Sequence, residues 1–295
     1  MAEPLRILGC TDFSPAGDRA LRRAALLAAQ TGAALHLLHV LPPGEVMERL
    51  LPAAGTDGLR AHADRGLQER AQRFTAELGV TATCELRQGR AHQEILRAIE
   101  GVGAHLAVLG AQGERAALMP PSTIGGSVFE VVERARVAIL LVRREAGGDY
   151  AQVLACAKGV ASDRAVLAWA DRLSPGELIQ VVSAYDVPYA RRLTEWGATD
   201  AAIDAYAARE RDRRAQHVGE VLDGLGIPAA RARQHIERGE AVKTILMSAA
   251  RWQADLVVVA RRAYAAFLVE GPFGSVAREV AVLAPMDVLV VPPVS

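Results

Sequence analysis

The chain has 295 residues, of which 51% are hydrophobic and 23% charged, and its 34 basic side chains balance its 34 acidic ones. This composition is typical of a folded globular protein, and the length suits two domains of ordinary size. The net charge of zero argues against a general nucleic-acid binder and against a polybasic membrane anchor, because both need a basic face.

Short apolar runs alternate with helical patterns along the first half of the chain. The runs predict strands at Arg6–Thr11, Ala34–Val40, Val80–Arg87, His105–Leu109 and Val137–Val142. Apolar residues at helical spacing predict helices at Asp18–Gln30, Ala61–Leu78, Ala91–Glu100 and Ser127–Arg134. Gly32 and Gly79 follow two of these helices as stop signals. Strands that alternate with helices indicate right-handed crossovers and a parallel sheet.

The second half repeats this order. Gly126-Ser127-Val128 corresponds to Gly274-Ser275-Val276, and the closing run Val137–Val142 corresponds to Met286–Val291. We therefore predict an α/β protein of two doubly wound, Rossmann-like domains, each a five-stranded, mostly parallel sheet with helices on both faces. The domains are expected at residues 1–146 and 150–295, with a short linker that contains Gly147 and Gly148.

No segment of the sequence indicates a membrane span, a secretory signal or a metal site. The longest apolar runs are far shorter than the ~18 residues that a spanning helix needs, and Met1–Arg6 lacks the regions of a signal peptide. The three cysteines, Cys10, Cys84 and Cys156, are widely spaced and form no metal or disulfide pattern. We expect a cytoplasmic protein with no metal site and no membrane or nucleic-acid partner.

The cysteines and histidines on the predicted strands are interpreted as structural residues. Cys10 and Cys156 hold matching positions in the first strand of each half and are interpreted as buried packing residues. His36 and His39 are three apart on a predicted strand, so they point to opposite faces and form no metal pair.

Polar residues and glycines collect where strands one and four of the first half end. Asp12 follows the first strand, Gly110 and Gly113 follow the fourth, and Gly126 and Ser127 open the next helix. Ligands of open α/β sheets bind at the carboxyl ends of the strands, where the strand order reverses. Glycines and helix N-terminal amides suit a phosphate, and a carboxylate suits a base amino group or ribose hydroxyls. The pattern predicts a mononucleotide site.

These motifs resemble those of the universal stress protein family, in particular its tandem two-domain members, over nearly the whole chain. The segments that carry the resemblance are Ile7–Ser14, His39-Val40, Gly110-x-x-Gly113, Gly126-Ser127-Val128 and Ile139–Arg143. The resemblance implies that the first domain binds ATP, with or without Mg²⁺, as a regulatory ligand. Asp12 and Val40 would contact adenine or ribose, and the residues lining the phosphates would be Gly110, Gly113, Gly126, Ser127 and Val128.

The first half departs from the family pattern in one loop. Twelve residues separate Gly113 from Gly126, more than the pattern has, and they include Pro120 and Pro121. This loop supports the alternative interpretation, a structural or interaction module that binds no nucleotide and acts through dimerisation. AMP, ADP or a cyclic nucleotide in place of ATP also stays open.

The second half departs further. The position of Asp12 becomes Ala157 or Lys158, and the glycine pair becomes Ala260–Ala263. An alanine Cβ disfavours positive φ and takes space that a phosphate needs. We expect a degenerate nucleotide site in this domain.

No catalytic set accompanies the predicted site. A P-loop lysine, a nucleophile elbow and a dinucleotide fingerprint are all missing from the sequence. We expect no catalytic residue, and at most slow incidental ATP hydrolysis. The family resemblance also implies that the fifth strands of the two domains lie near each other and that the protein forms a homodimer. We also expect the protein to interact with a protein partner that the sequence does not identify.

Overall fold

The computed structural model describes residues 4–50, 56–112, 124–187, 190–261 and 275–293. Contacts divide the chain into two compact units. The first consists of Met1–Asp149 together with Ala281–Pro292, and the second consists of Tyr150–Val280 together with Pro293–Ser295. A short segment from the far end of the chain is therefore part of the first unit.

The strands of both units are short. They are β1 (Arg6–Thr11), β2 (Ala34–Leu41), β3 (Ala82–Gln88), β4 (Leu106–Gly110), β5 (Ala138–Val142), β6 (Val153–Cys156), β7 (Ile179–Tyr185), β8 (Ala232–Arg238), β9 (Leu256–Ala260) and β10 (Asp287–Val291).

Helices connect the strands. They are α1 (Pro15–Thr31), α2 (Gly44–Leu50), α3 (Thr56–Leu78), α4 (Ala91–Gly101), α5 (Gly126–Arg134), α6 (Asp163–Leu173), α7 (Ala190–Glu195), α8 (Asp200–Leu225), α9 (Ala241–Arg251) and α10 (Ser275–Leu283). No helix in the described part of the chain is both long and apolar enough to cross a membrane.

The sheet of the first unit has the order β3-β2-β1-β4-β5-β10. β1 to β5 are parallel, and β10 is antiparallel to β5. In the second unit the order is β9-β6-β7-β8, and all these pairs are parallel. β5, β6 and β9 are buried along their whole length, and β4 is buried except at its last residue, Gly110, as expected for parallel strands covered by helices on both faces. The prediction of a mostly parallel, two-domain α/β fold is confirmed.

β10, the fifth strand of the second half, pairs with β5, the fifth strand of the first. Its register places Leu289 opposite Leu140 and Val290 opposite Ile139, and all four side chains are buried. The expectation that these two strands lie near each other agrees with this pairing. β5 would otherwise present an apolar, unpaired sheet edge.

A buried carboxylate anchors β10 in the first unit. Asp287 is fully buried, and its Oδ1 accepts hydrogen bonds from the backbone amides of Arg143 (2.8 Å) and Arg144 (3.1 Å). Arg23 on α1 is 5% exposed, its Nε lies 3.6 Å from Asp287 Oδ2, and its Nη1 donates to the Gly148 carbonyl at 2.6 Å. One carboxylate thus holds the end of β5 and the middle of α1.

The start of α1 shows how local chemistry sets a helix boundary. α1 begins at Pro15, three residues earlier than predicted, because Ser14 caps it: the Ser14 hydroxyl accepts the Gly17 amide at 3.1 Å. Pro15 suits the first helical position since it needs no amide partner there. Gly32 ends the helix at φ 66°, as the sequence predicts.

Candidate functional site

Three of the predicted site residues share one edge of the first unit. β2, β1 and β4 are parallel neighbours, so their carboxyl ends meet at the same edge. Asp12 directly follows β1, Val40 is the penultimate residue of β2, and Gly110 is the last residue of β4. The chain runs outward from β1 through β2 and β3, then restarts at β4 on the other side of β1. This edge is therefore the point of reversal at which such sheets bind ligands.

The start of α5 is held at the same edge by backbone hydrogen bonds. The Gly125 amide donates to the Ala111 carbonyl at 3.1 Å, and the Ala111 amide donates to the Val142 carbonyl at 3.0 Å. These bonds return the chain to the end of β4 just before Gly126, Ser127 and Val128. Gly113, Pro120 and Pro121 lie outside the described residues.

The N-terminus of α5 has no side-chain cap. Gly125 is the N-cap residue, and the first helical hydrogen bond runs from the Phe129 amide to the Gly125 carbonyl at 2.9 Å. The amides of residues 126–128 precede that bond. Gly126 and Ser127 are exposed, and within the described chain no atom lies within 4 Å of a Cβ built on Gly126. Exposed amides at a positive helix end favour an anion.

Asp12 is exposed and shapes the loop that connects β1 to α1. Its Oδ1 accepts hydrogen bonds from the Ser14 amide at 3.0 Å and from the Ser14 hydroxyl. The Phe13 amide donates to Thr11 Oγ1 at 2.9 Å. Because the same Ser14 caps α1, the direction of the Asp12 carboxylate is tied to the helix start. The carboxylate is a fixed, solvent-facing acceptor at the strand end.

A stack of three side chains supports this loop, and sequence reasoning missed it. Phe13 has a positive φ of 63°, which is rare for a bulky residue. Its ring stacks on His39 with 4.1 Å between the centroids, and the Arg70 guanidinium lies 4.7 Å from its centroid. His39 Nδ1 donates to the Thr11 carbonyl at 2.8 Å. Burial lowers the pKa of His39, while the bond to Thr11 opposes that shift.

Gly110 has a packing role in addition to its predicted phosphate contact. A Cβ at this position would lie 2.9 Å from both the carbonyl carbon and the oxygen of Ala16. Real Cβ atoms do not approach backbone so closely, so only glycine lets β4 end against the first turn of α1. The phosphate contact itself stays a prediction.

The comparisons with known proteins are unambiguous about the family. Residues 5–143 and 150–292 each match the model of the universal stress protein family. The chain belongs to this family. It is a tandem member, as the sequence motifs predict.

Solved structures of this universal stress protein fold cover nearly the whole chain. A universal stress protein from Archaeoglobus fulgidus is 18% identical, with a TM-score of 0.69 over 97% of this chain and 98% of that one. A putative universal stress protein from Pseudomonas aeruginosa is 18% identical, with a TM-score of 0.68 over 98% and 93%. At this identity the likeness concerns the fold alone. No curated protein is significantly similar in sequence.

In the second universal stress domain, the loop that corresponds to Asp12–Ser14 is filled by a carboxylate of its own. Asp163 is fully buried and accepts hydrogen bonds from three successive backbone amides, those of Lys158 (3.0 Å), Gly159 (2.7 Å) and Val160 (3.2 Å). His217 Nε2 lies 3.3 Å from Asp163 Oδ2. Converging amides of this kind are an anion-binding arrangement, and here the anion is part of the chain.

Lys158 occupies the reversal point of the second unit. Its Nζ donates to the carbonyl of Ala260, the last residue of β9, at 3.2 Å. Its own carbonyl accepts from Arg214 Nη1 at 3.0 Å. β6 and β9 correspond to β1 and β4, so this lysine lies where a ligand of the first unit would lie. Arg262 and Ala263 are outside the described residues. The degenerate site stays a prediction that these contacts support.

Proposed function

We propose that this universal stress protein binds an adenine nucleotide, with ATP as the first choice, at the carboxyl edge of its first unit. One observation carries the proposal: the uncapped N-terminus of α5 lies at the same sheet edge as the exposed carboxylate of Asp12. An uncapped helix start suits phosphates, and a fixed carboxylate suits the donors of a base or ribose.

Each residue of the proposed site has a chemical task. The Asp12 carboxylate accepts hydrogen bonds from the ribose hydroxyls or the adenine amino group, and half-buried Val40 contacts the base. The amides of Gly126, Ser127 and Val128, with the Ser127 hydroxyl, donate to phosphate oxygens. Mg²⁺ would neutralise phosphate charge when it accompanies the nucleotide.

The nucleotide is proposed as a regulatory ligand, without substantial turnover. Rapid phosphoryl transfer needs a positioned nucleophile or base together with metal ligands. In the described part of the chain, no three His, Cys, Asp or Glu side chains are grouped to hold a metal ion. We therefore propose slow ATP hydrolysis at most, in a cytoplasmic homodimer that acts on a protein partner through its nucleotide-dependent shape.

The second unit is proposed as the structural or interaction half. Asp163 already satisfies the amides of its loop, and Lys158 already occupies the strand end. A nucleotide phosphate at this loop would have to displace a buried carboxylate of the same sign. These contacts support binding by the first unit alone.

The alternative function is a structural module that binds no nucleotide and acts through dimerisation. Two observations favour it. Gly110 is explained by its approach to Ala16, and Asp12 by its bonds to Ser14, without any ligand.

Calorimetric titration of the full chain with ATP and Mg²⁺ tests the proposal. Gly126→Val should weaken binding at least tenfold, because the new side chain covers the amides of α5. It should leave folding intact, since no described atom lies within 4 Å of the new Cβ. Gly58→Val is the matched control, because Gly58 is also exposed, near a helix start and free of close neighbours.

Three outcomes discriminate between the proposals. Loss of binding in Gly126→Val with full binding in Gly58→Val supports the site. Wild-type protein that shows neither heat nor a thermal shift with millimolar ATP favours the dimerisation module. Wild-type affinity in Gly126→Val would show that the phosphates do not bind at the N-terminus of α5. Competition with AMP, ADP and a cyclic nucleotide then identifies the preferred ligand.

A further inference from the structure

A cavity of about 370 Å³ lies in the first unit, next to the proposed nucleotide site. It is bounded by the first turns of α1, the ends of β4 and β5, and the turn that follows α10. Its walls are about half polar and half apolar, and the apolar residues include Val142, Val282, Leu283 and Pro285. Leu283 is 49% exposed, which leaves a large apolar side chain at the cavity without full protein cover.

Arg19 supplies one polar wall and has an unused hydrogen-bond donor. Its Nε is buried and finds no hydrogen-bond acceptor among the described residues. Its guanidinium pairs with Glu145 across a long 3.4 Å contact between Nη1 and Oε1, and the Glu145 side chain is 79% exposed. An ion pair of this length to an exposed carboxylate is weak. The Arg19 side chain is 27% exposed, so an anionic ligand in the cavity can compete with Glu145 for the outer N–H groups of its guanidinium.

Arg143 supplies a second positive charge in the same cavity. Its Nη2 donates to the Ala281 carbonyl at 2.6 Å and to the Val282 carbonyl at 3.4 Å, which fixes the guanidinium at the end of α10. Burial lowers the pKa of Arg143, while the carboxylate of Asp287 opposes that shift. The cavity thus combines two cationic side chains, Arg19 and Arg143, with apolar ones.

This combination selects an anion with an apolar body. The two oxygens of a carboxylate match the parallel N–H groups of a guanidinium. The volume is at the small end of ligand cavities. We propose that the cavity binds a small organic monocarboxylate, with its carboxylate against Arg19 and its apolar chain against Val282 and Leu283. The proposal does not depend on nucleotide binding.

The cavity shares Ala111 and Gln112 with the flank of the nucleotide loop. Ala111 accepts the Gly125 amide that starts α5 and donates to the end of β5. A ligand in the cavity would therefore lie next to the backbone that positions the amides of α5. It is placed to influence the nucleotide site without occupying it.

Methyl NMR of the full chain, titrated with sodium hexanoate, tests this site. The Leu283 and Val142 methyl resonances should shift saturably. Arg19→Gln should weaken hexanoate at least tenfold, as expected when a charged hydrogen bond is lost. Glu145→Gln should tighten it severalfold, because it removes the competing carboxylate. Arg22→Gln is the matched control, since Arg22 is on the same helix but pairs with Glu77 outside the cavity.

Each alternative result overturns a stated part of the proposal. Absence of saturable shifts overturns the site itself. Equal affinity of hexanol, or unchanged hexanoate affinity in Arg19→Gln, overturns the role of the anion. Acetate or inorganic phosphate that binds as tightly as hexanoate overturns the role of the apolar walls. If Arg19→Gln fails to fold, Glu145→Gln still tests the role of Arg19. The Glu145 side chain is 79% exposed, so this variant should fold, and unchanged hexanoate affinity in it would count against the proposal.

Discussion

Asp163 turns its carboxylate inward to the loop before α6, whereas Asp18, which aligns with it when Gly17–Leu21 is matched to Ser162–Val166, turns outward to Arg70. Arg70 Nε and Nη2 donate to the two Asp18 oxygens at 2.7 and 2.9 Å. Arg70 stands eight residues before Leu78, the end of α3, and His217 stands eight before Leu225, the end of α8. The same two positions thus form a partly exposed ion pair in one unit and a buried carboxylate contact in the other.

Asp163→Ala should destabilise the second unit by about 1–3 kcal/mol, because it leaves the partly buried loop amides of Lys158 and Gly159 without their acceptor. All three tryptophans, Trp169, Trp196 and Trp252, are in this unit, so urea unfolding followed by tryptophan fluorescence measures the change. Asp18→Ala is the control and should change the stability of the first unit by no more than about 1 kcal/mol. An unchanged urea midpoint in Asp163→Ala would contradict the structural role of this carboxylate.

Asp287→Ala should destabilise the first unit by about 3–5 kcal/mol, because it leaves Arg23 buried without its carboxylate. The amides of Arg143 and Arg144 lose their acceptor at the same time. Hydrogen exchange of the β5 amides should accelerate. Glu145→Gln, at an exposed position, should change stability by no more than about 0.5 kcal/mol. Slow exchange of β5 in Asp287→Ala would show that β10 needs no buried anchor.

Gly110→Ala should destabilise the first unit by about 1–3 kcal/mol, because its Cβ would overlap the Ala16 backbone. Circular dichroism during urea unfolding measures this. Gly126→Ala, with open space around its Cβ, should be neutral. Full stability of Gly110→Ala combined with lost nucleotide binding would assign Gly110 to the ligand instead of to packing.

Cys10 and Cys156 should resist alkylation in the native protein at pH 8. Burial raises the pKa of each thiol to about 12, so neither forms the reactive thiolate. Cys84 is half-buried, and burial also raises its pKa, so it should react first but slowly. Mass spectrometry after timed iodoacetamide treatment, with urea-unfolded protein as the control, distinguishes the three. Rapid native labelling of Cys10 would refute its interpretation as a packing residue.

Stability should fall as the pH is lowered from 7 to 5. Burial lowers the pKa of His39 and of His235 below the usual value of 6.5. The unfolded chain therefore binds more protons in this range, and stability present above pH 6.5 is lost as the pH falls through the lowered values. His39→Gln and His235→Gln should each flatten the dependence of the urea midpoint on pH. An equally steep dependence in both variants would assign it to other groups.

Local patterns in the sequence predicted most element positions well. The strands of the first half start and end within two residues of their predicted positions, because most of them are runs of apolar residues bounded by turn residues; the more polar β3 deviates most, by two residues at its start. α3 starts five residues earlier than predicted, since the charged residues before Ala61 show no apolar spacing. α2 was not predicted, because its seven residues are too few for a clear helical spacing of apolar residues.

The sequence predicted which residues of the candidate site share a sheet edge, but not the side-chain contacts around them. The motif placed Asp12, Val40 and Gly110 at one sheet edge, since the order of strands determines which ends meet. The stacking of Phe13 on His39 depends on a left-handed backbone at Phe13, which no residue type in that loop signals. The inward turn of Asp163 could not be predicted either, because the repeat alone predicts the same contacts for Asp18 and Asp163.

The pairing of β10 with β5 dictates an order of events during synthesis. The ribosome makes the first half early, but residues 287–291 emerge only after the whole second half has been translated. Until then the nascent first domain carries β5 as an uncovered apolar border and Arg23 without its counter-charge. The amino-terminal half therefore completes its sheet only after residue 291 has been made, and chains truncated before residue 287 should expose the apolar edge of β5 and aggregate more readily.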